Sequence, residues 1–305
     1  MNLKIGGKME RFDVAKKVGI LGIIGNVFLF FIKIAVGLMS RSQAMIADAL
    51  NSAGDVFASF MTWLGNRISS VPNDDDHNYG HGKAEYIFSM LISISMMVIA
   101  FKLLYDSIMS IVTVNHLTFS WKLIVVCIIT IIVKLALYFY TKYLYQKQKN
   151  LLVKANMIDH RNDAVITTFT TIAIILSKFN IYFFDGLVGI GISIWIFIVA
   201  VKIYKESYDI LMDSSIDKES KKKVLNIIKN CKNIKRIGNL YSIPIGYKYI
   251  VVVTIFVDGT MQTNESHEIT EKLENKILKS IDKIERVIVH VEPYILSRDT
   301  SIKKK

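Results

Sequence analysis

The sequence predicts an α-helical membrane protein with six transmembrane helices, followed by a small cytoplasmic α/β domain of αββαβ order. Three observations lead to this fold class: a hydrophobic fraction of 52% with a mean hydropathy of +0.37, a net charge of +12 whose charged residues are concentrated toward the C-terminal end, and six long apolar stretches. Soluble domains of this length are less apolar, so we expect much of the chain to lie in lipid.

A helix that crosses a bilayer needs about 20 mostly apolar residues. Six stretches reach that length: residues 18–39, 44–68, 86–111, 123–145, 158–176 and 181–203. The first, third, fourth and sixth read as plain apolar spans, whereas the second and fifth contain acidic and amide side chains. Basic residues near the helix ends favour two cytoplasmic termini, which requires an even number of spans.

The last hundred residues have the composition of a soluble domain. Helices are predicted at 218–229 and 265–281, and strands at 235–240, 247–257 and 287–291. We therefore divide the chain into a cytoplasmic amino-terminal segment (1–17), a transmembrane domain (18–208), a cytoplasmic dimerisation or regulatory domain (209–295) and a basic tail (296–305). No cleavable signal peptide is expected, because the first apolar run is too long.

Composition also argues against several classes of function. Cys127 and Cys231 lie in unrelated surroundings, so neither a disulfide framework nor a cysteine metal cluster is expected. The lysines flank apolar runs and lack the interleaved aromatic and arginine side chains of a nucleic-acid surface. We therefore expect no nucleic-acid partner and assign the basic charge to orientation in the membrane and to lipid headgroups.

Ionisable residues at membrane depth are costly, and they face the protein interior. Asn51 and Asp55 lie four residues apart in the second span, and Asp159 and Asp163 repeat that spacing in the fifth. Each pair shares one helix face. If the two faces meet, four oxygen-bearing side chains converge, and a divalent cation relieves the repulsion between the carboxylates. A helix-helix hydrogen bond or a buried salt bridge is the alternative for either pair.

Two neighbours of these pairs are weaker candidates. Asp48 can share the face of Asn51, but a packing role suits it equally well. His160 follows Asp159 by one residue, about 100° around the helix, so its side chain is expected to point away from the site. The predicted set is therefore all oxygen, which suits manganese, magnesium or calcium better than zinc or copper. Manganese is the first choice.

A loop after the second span is rich in potential ligands. Asp74, His77 and His81 have a spacing that allows a surface metal site, although acidic loop residues are commonly just solvated.

The chain resembles the cation diffusion facilitator family at three motifs. They are ADALNSAGD at 47–55, NYGHGKAE at 78–85 and DHRND at 159–163. The resemblance extends over nearly the whole chain. It implies a homodimer of six-helix protomers, each with a cytoplasmic αββαβ domain, that exchanges a divalent metal for protons.

The resemblance also carries site residues onto this sequence. It places the transport site at Asn51, Asp55, Asp159 and Asp163. Zinc-moving members have histidine where this chain has Asp159, and commonly aspartate or histidine where it has Asn51, so the departure resembles the manganese branch. The resemblance further implies a loop site at Asp74, His77 and His81, and a pair between Lys83 and Asp213 that locks a dimer interface. In the cytoplasmic domain, His267, His290 and Glu292 fall on metal-binding positions of the zinc-type domain, whereas Gly238 and Val253 stand where further histidines are expected. Surface histidines on a dimerising domain are therefore the favoured alternative to a metal site there.

The function implied is proton-coupled efflux of a divalent metal by alternating access, in a secondary transporter rather than an enzyme. Mn²⁺ is preferred over Zn²⁺, Fe²⁺, Co²⁺ and Cd²⁺, and no cofactor is expected. The protein is placed in the inner or plasma membrane with both termini cytoplasmic. The alternatives are Zn²⁺ or Fe²⁺ efflux by the same fold, a membrane metal sensor or assembly partner that does not transport, and a membrane hydrolase that uses paired aspartates.

Overall fold

The computed structural model describes residues 2–40, 43–113, 121–177 and 183–294. These residues form two compact units. The first comprises the chain up to His77 together with Ala84–Tyr208, and the second comprises Asn78–Lys83 together with the chain from Asp209 onward.

The first unit is built from helices, and its last helix continues into the second unit. The helices are α1 (Asn2–Ser40), α2 (Gln43–Ser69), α3 (Ala84–Thr113), α4 (Trp121–Lys147), α5 (Leu151–Ser177) and α6 (Phe183–Leu211). Because α1 begins at Asn2, most of the segment predicted to precede the first span is helical. The loop between α4 and α5 is also shorter than predicted, and Lys154 lies within α5.

Within the residues that the structure describes, three helical segments are long and apolar enough to cross a membrane: Arg11–Val36, Ala84–Val112 and Trp121–Lys147. The acidic and amide residues of α2 and α5 lower the apolar character of those two helices. The count of six spans therefore stays a prediction.

In the first unit, many exposed side chains are apolar and many buried ones are polar. Phe31 and Val98 have exposed fractions of 62% each, whereas Asn26 and Ser59 are fully buried. The Asn26 amide donates hydrogen bonds to the Asp55 carbonyl at 3.0 Å and to Ser59 Oγ at 3.1 Å. This polarity suits a lipid environment, where interhelical hydrogen bonds and small residues, rather than a hydrophobic core, hold helices together.

Glycines let α1 and α2 approach closely. A Cβ atom at Gly19 would lie 2.8 Å from the Trp63 backbone nitrogen, and one at Gly22 would lie 2.6 Å from Ser59 Oγ. Small residues at such positions allow the dense packing on which membrane helices depend.

The second unit has the predicted order of helices and strands. Its elements are α7 (Lys218–Lys229), β1 (Arg236–Pro244), β2 (Tyr249–Asp258), α8 (Thr263–Ser280) and β3 (Ile284–Tyr294). The sheet order is β1-β2-β3, with β1 antiparallel and β3 parallel to the central β2. The parallel pair is joined through α8, as a crossover connection requires.

Alternation along β2 creates the core of the second unit. Val251, Val253 and Ile255 are fully buried, because successive side chains of a strand point to opposite faces. Ile228 of α7 and Ile277 of α8 pack into the same core. The two helices and the sheet therefore enclose a single apolar layer.

Two local features fix the chain within this unit. Asp217 caps α7 by accepting a hydrogen bond from the Ser220 backbone N–H at 2.9 Å. Gly246 has a φ of 85°, a conformation that favours glycine, and a Cβ atom there would lie 3.0 Å from Gly82 Cα.

Candidate metal site

Buried carboxylates lie on α2 and α5. Asp55 and Asp159 are 5% and 4% exposed, and the Asp163 side chain is 14% exposed. The predicted ligand Asn51 lies in α2, as does Asp48, but their side chains fall outside the part of the chain that the structure describes. Three of the four predicted transport-site residues can therefore be located by their side chains.

Lys134 of α4 joins the carboxylates of the two helices. Its Nζ lies 2.7 Å from Asp55 Oδ2 and 2.5 Å from Asp163 Oδ2, and its side chain is only 1% exposed. Asp55 and Asp163 therefore point to the same place, as the predicted convergence of α2 and α5 requires. The distances are those of strong, charge-assisted hydrogen bonds.

Sequence reasoning missed this lysine. The fourth stretch is an apolar span as predicted, but Lys134 near its middle was not singled out as an ionisable residue of the site. The signal was present: an ionisable residue at membrane depth has to face the protein interior and to find a partner there. The same argument that selected the acidic residues of α2 and α5 applies to this residue.

His160 also belongs to the cluster. One potential ligand atom from each of Asp159, His160 and Asp163 lies within 4.8 Å of the others. The expectation that His160 points away was therefore wrong. The Cα atoms of neighbouring residues are separated by about 100° around a helix, but an imidazole is long enough to bring a ring nitrogen back toward an adjacent side chain.

Several buried polar atoms of the cluster have no hydrogen-bond partner within the described residues. They are Asp159 Oδ2 and both ring nitrogens of His160. A buried polar atom that lacks a partner costs about 1–3 kcal/mol, so such atoms are rare unless a ligand, an ion or water satisfies them. Oxygen and nitrogen atoms with free lone pairs, placed beside a second carboxylate, form a site suited to a metal cation.

A second lysine lies in the same unit. The ammonium of Lys33 on α1 is buried and donates a hydrogen bond to Ser52 Oγ of α2 at 3.0 Å. Ser52 is three positions before Asp55 in α2. Helices α1, α2, α4 and α5 therefore all contribute charged or polar groups to this region.

A separate ion pair connects α1, α3 and the start of α5. Arg11 Nη2 lies 2.7 and 2.8 Å from the two carboxylate oxygens of Glu85, and Glu85 Oε1 also accepts the Leu151 backbone N–H at 2.8 Å. Arg11 Nη1 donates to the Lys149 carbonyl. The side chains of Arg11 and Glu85 are both buried. Glu85 ends the NYGHGKAE motif, so this part of the motif has a structural partner that the sequence did not reveal.

The predicted loop site is described in part. His77 donates its backbone N–H to Asp74 Oδ1 at 2.6 Å, and its ring Nδ1 lies 3.2 Å from the same oxygen. His81 belongs to the second unit, so the three-residue site stays a prediction.

The second unit contains the predicted pair between Lys83 and Asp213. The Lys83 ammonium lies 2.7 Å from Asp213 Oδ1, and both residues belong to this unit. The contact is present as predicted, whereas its role in a dimer stays a prediction.

The cytoplasmic metal positions are only partly brought together. His290 Nε2 lies 3.3 Å from Glu292 Oε1 on β3. His267 lies on α8 and forms no three-residue ligand cluster with these two within the described residues. Val253, where a further histidine was expected, is a fully buried core residue.

A helical unit with buried carboxylates on neighbouring helices, together with a small α/β domain, is the arrangement expected of a membrane protein that handles metal cations. Comparison with known proteins supports this class. The family model of the cation efflux transmembrane domain matches residues 19–212, and that of the cation efflux protein, cytoplasmic domain, matches residues 216–294. The chain therefore belongs to the cation diffusion facilitator family, whose members are transporters rather than enzymes.

Curated relatives cover nearly the whole chain. The manganese efflux system proteins MneP and MneS of Bacillus subtilis are 27% and 30% identical to it, over 93% of this chain and 98% and 99% of their own lengths. The magnetosome protein MamM of Magnetospirillum gryphiswaldense is 26% identical over 91% of this chain and 88% of its own length.

A solved structure of a transporter's C-terminal domain matches about a quarter of the chain. The metal-bound C-terminal domain of the CzcD transporter from Thermotoga maritima is 28% identical, with a TM-score of 0.25, and the match covers 26% of this chain and 94% of that structure.

Proposed function

We propose that the protein exports a divalent metal, with Mn²⁺ as the preferred substrate, through a site formed by Asn51, Asp55, Asp159 and Asp163. The observation that carries this proposal is the meeting of the Asp55 and Asp163 carboxylates at one point between α2, α4 and α5. The nearby Asp159 Oδ2, which has no hydrogen-bond partner among the described residues, supplies a further ligand atom. A cation bound there neutralises charges that the membrane interior otherwise disfavours.

The preference for manganese rests on the chemistry of the oxygen donors. Carboxylate and amide oxygens are hard ligands, and they suit Mn²⁺ better than Zn²⁺. Two of the curated relatives bear the name manganese efflux system protein, which supports the same preference.

Export of Zn²⁺ or Fe²⁺ is the second candidate, and His160 favours it. The imidazole lies in the cluster with Asp159 and Asp163, and its ring nitrogens have no partner within the described residues. A nitrogen ligand raises the affinity of a site for zinc and iron relative to manganese. If His160 coordinates the metal, the site is no longer purely oxygen, and selectivity shifts toward these ions.

Protons are the proposed counter-ions, and alternating access is the proposed mechanism. Metal enters from the cytoplasm, and protons from the opposite side compete with it for the same carboxylate oxygens, which releases the ion. The proposal places the protein in the plasma or inner membrane with six spans and both termini cytoplasmic. The match of residues 216–294 to a cytoplasmic domain supports the position of the C-terminal part.

A homodimer is the proposed assembly. The C-terminal domain matches a family of dimerisation domains. In the single chain, one face of its sheet presents apolar side chains to solvent. Tyr241, Ile243 and Ile288 are 61%, 43% and 44% exposed on this face. A second copy of the chain would cover them, and Ile288→Lys is expected to weaken a dimer measured by light scattering. We further propose the Lys83–Asp213 pair as part of the dimer lock.

Metal uptake into proteoliposomes tests the choice of substrate. The wild type and Asn51→Asp are compared for Mn²⁺ and Zn²⁺ under an imposed pH gradient. We expect Mn²⁺ flux in the wild type and a shift toward Zn²⁺ in Asn51→Asp, because zinc-moving members of the family commonly have aspartate or histidine at this position. Zinc flux without manganese flux in the wild type would agree with a metal transporter but refute the preference for Mn²⁺. No flux of any ion would favour a sensor or an assembly partner.

A further inference from the structure

We propose that Lys134 is a tethered counter-cation of the transport site, whose ammonium occupies the metal position in the empty carrier and has to be displaced before metal binds. This inference rests on the proposed transport site at Asp55 and Asp163. Protons compete with the metal from outside the protein, whereas Lys134 is an internal competitor, because it is covalently part of α4 and cannot diffuse away.

The position of the ammonium is the first argument. Nζ of Lys134 makes hydrogen bonds of 2.7 and 2.5 Å to one carboxylate oxygen from each of α2 and α5. A metal that coordinates those same two oxygens must lie between them, in the space that Nζ occupies. The ammonium and the metal therefore exclude each other from this position, both by their volumes and by the repulsion between their positive charges.

The burial of the side chain is the second argument. Lys134 is 1% exposed, so water cannot solvate its ammonium. The stability of this buried charge therefore depends on the two carboxylates. Conversely, the carboxylates of the empty site depend on the lysine, because an unpaired charge in a membrane helix is strongly disfavoured. The lysine thus allows the empty carrier to keep charged oxygens inside the bilayer.

The charge balance is the third argument. When their side chains are ionised, Asp55, Asp159 and Asp163 together with Lys134 leave a net charge of minus two. One divalent cation neutralises this charge if the ammonium is displaced but stays nearby. Without Lys134, the three ionised carboxylates and one divalent metal would leave a charge of minus one, and the buried Lys33 ammonium of α1 would be the remaining cation of this region.

A packing role for Lys134 makes the opposite prediction, so mutants separate the two. If the lysine merely holds α2, α4 and α5 together, its loss loosens the site and weakens metal binding. If it competes with metal, its loss tightens binding. Arginine keeps the positive charge and presents several donors to carboxylates, so it preserves a packing role but strengthens competition.

The test measures Mn²⁺ affinity by calorimetry with full-length purified protein in detergent. We expect Lys134→Gln to lower the Kd for Mn²⁺ at least tenfold, and Lys134→Arg to raise it at least tenfold. Lys142→Gln is the matched control, because Lys142 lies on the same helix, is exposed and contacts the Tyr138 ring rather than the site. This control should bind Mn²⁺ like the wild type.

The two variants keep the proposal refutable even if one does not fold. Weaker binding or unchanged binding in Lys134→Gln would overturn it, and so would affinity equal to that of the wild type in Lys134→Arg. In both cases Mn²⁺ binding by the wild type would leave the proposed transport function intact. If the wild type binds neither Mn²⁺, Zn²⁺ nor Fe²⁺, the transport site itself is refuted, and this inference fails with it.

Discussion

Replacing Arg11 by methionine tests the buried ion pair that connects α1, α3 and the start of α5. Methionine keeps most of the volume of the side chain but removes the guanidinium, which leaves the Glu85 carboxylate with the Leu151 backbone N–H as its described donor. Both partners of the pair are less than a tenth exposed, so water replaces the lost interaction poorly. The structure therefore predicts a marked loss of stability.

The expected magnitude follows from the surroundings of the two charges. Removing one partner of a buried pair costs about 3–5 kcal/mol, and we expect the lower end because Glu85 keeps one backbone donor. Glu85→Gln should cost less, about 1–3 kcal/mol, since the amide oxygen can still accept from Leu151 and Arg11 keeps the Lys149 carbonyl. The double mutant should lose less than the sum of the two single mutants, because the residues interact directly.

Reversible unfolding in mixed detergent micelles provides the measurement. The free energy of unfolding is compared for the wild type, the two single mutants and the double mutant. Asp13→Asn, an exposed position on the same helix, serves as the control. An Arg11→Met protein within about 0.5 kcal/mol of the wild type, or single-mutant effects that simply add, would refute the reasoning.

Two further predictions concern the metal cluster and the cytoplasmic domain. His160→Ala is expected to weaken Zn²⁺ binding by tenfold or more and Mn²⁺ binding by less, as measured by calorimetry; equal effects on both ions would argue against coordination by the imidazole. In the second unit, the hydrogen bond from the Ser220 backbone N–H and the contact of the Lys283 ammonium hold the pKa of Asp217 at about 2, below its ordinary value. The unfolded chain therefore binds a proton more readily, so the stabilisation is complete above about pH 5 and is lost as the pH falls toward 2. Asp217→Ala should cost about 0.5–2 kcal/mol at pH 7 and roughly half of that at pH 3, measured by hydrogen exchange of the α7 amides after brief incubation at each pH. The same loss at both pH values would contradict this sign.

The order of elements in the cytoplasmic domain could be predicted because its local signals agree. β2 is a short run of β-branched residues that ends near Asp258-Gly259, and α7 has an aspartate directly before a helical pattern. The extent of α1 was not predicted, since the first residues are polar and lysine-rich and lack the apolar pattern that marks a membrane span. Their helical structure begins at Asn2 as a continuation of the apolar helix that follows.

The acidic residues of the candidate site could be selected from their spacing, but the partner that joins them could not. A pair at i and i+4 specifies one helix face, whereas the meeting of Asp55 with Lys134 depends on how α2 packs against α4 and α5. His160 was excluded by backbone angle alone, and only the side-chain direction shows that its ring approaches Asp159. Tertiary packing and rotamers therefore decide what helical periodicity leaves open.

Metal-driven proton movement in proteoliposomes tests the central claim most directly. Mn²⁺ is added to vesicles that hold the purified protein, and Mn²⁺ flux and internal pH are recorded together for the wild type, Asp163→Asn and the exposed-site control Asp13→Asn. The account predicts coupled Mn²⁺ and proton fluxes in the wild type and the control, and the loss of both in Asp163→Asn. Unchanged Mn²⁺ flux in Asp163→Asn would contradict the account, because the carboxylate that meets Asp55 at Lys134 would then have no part in transport.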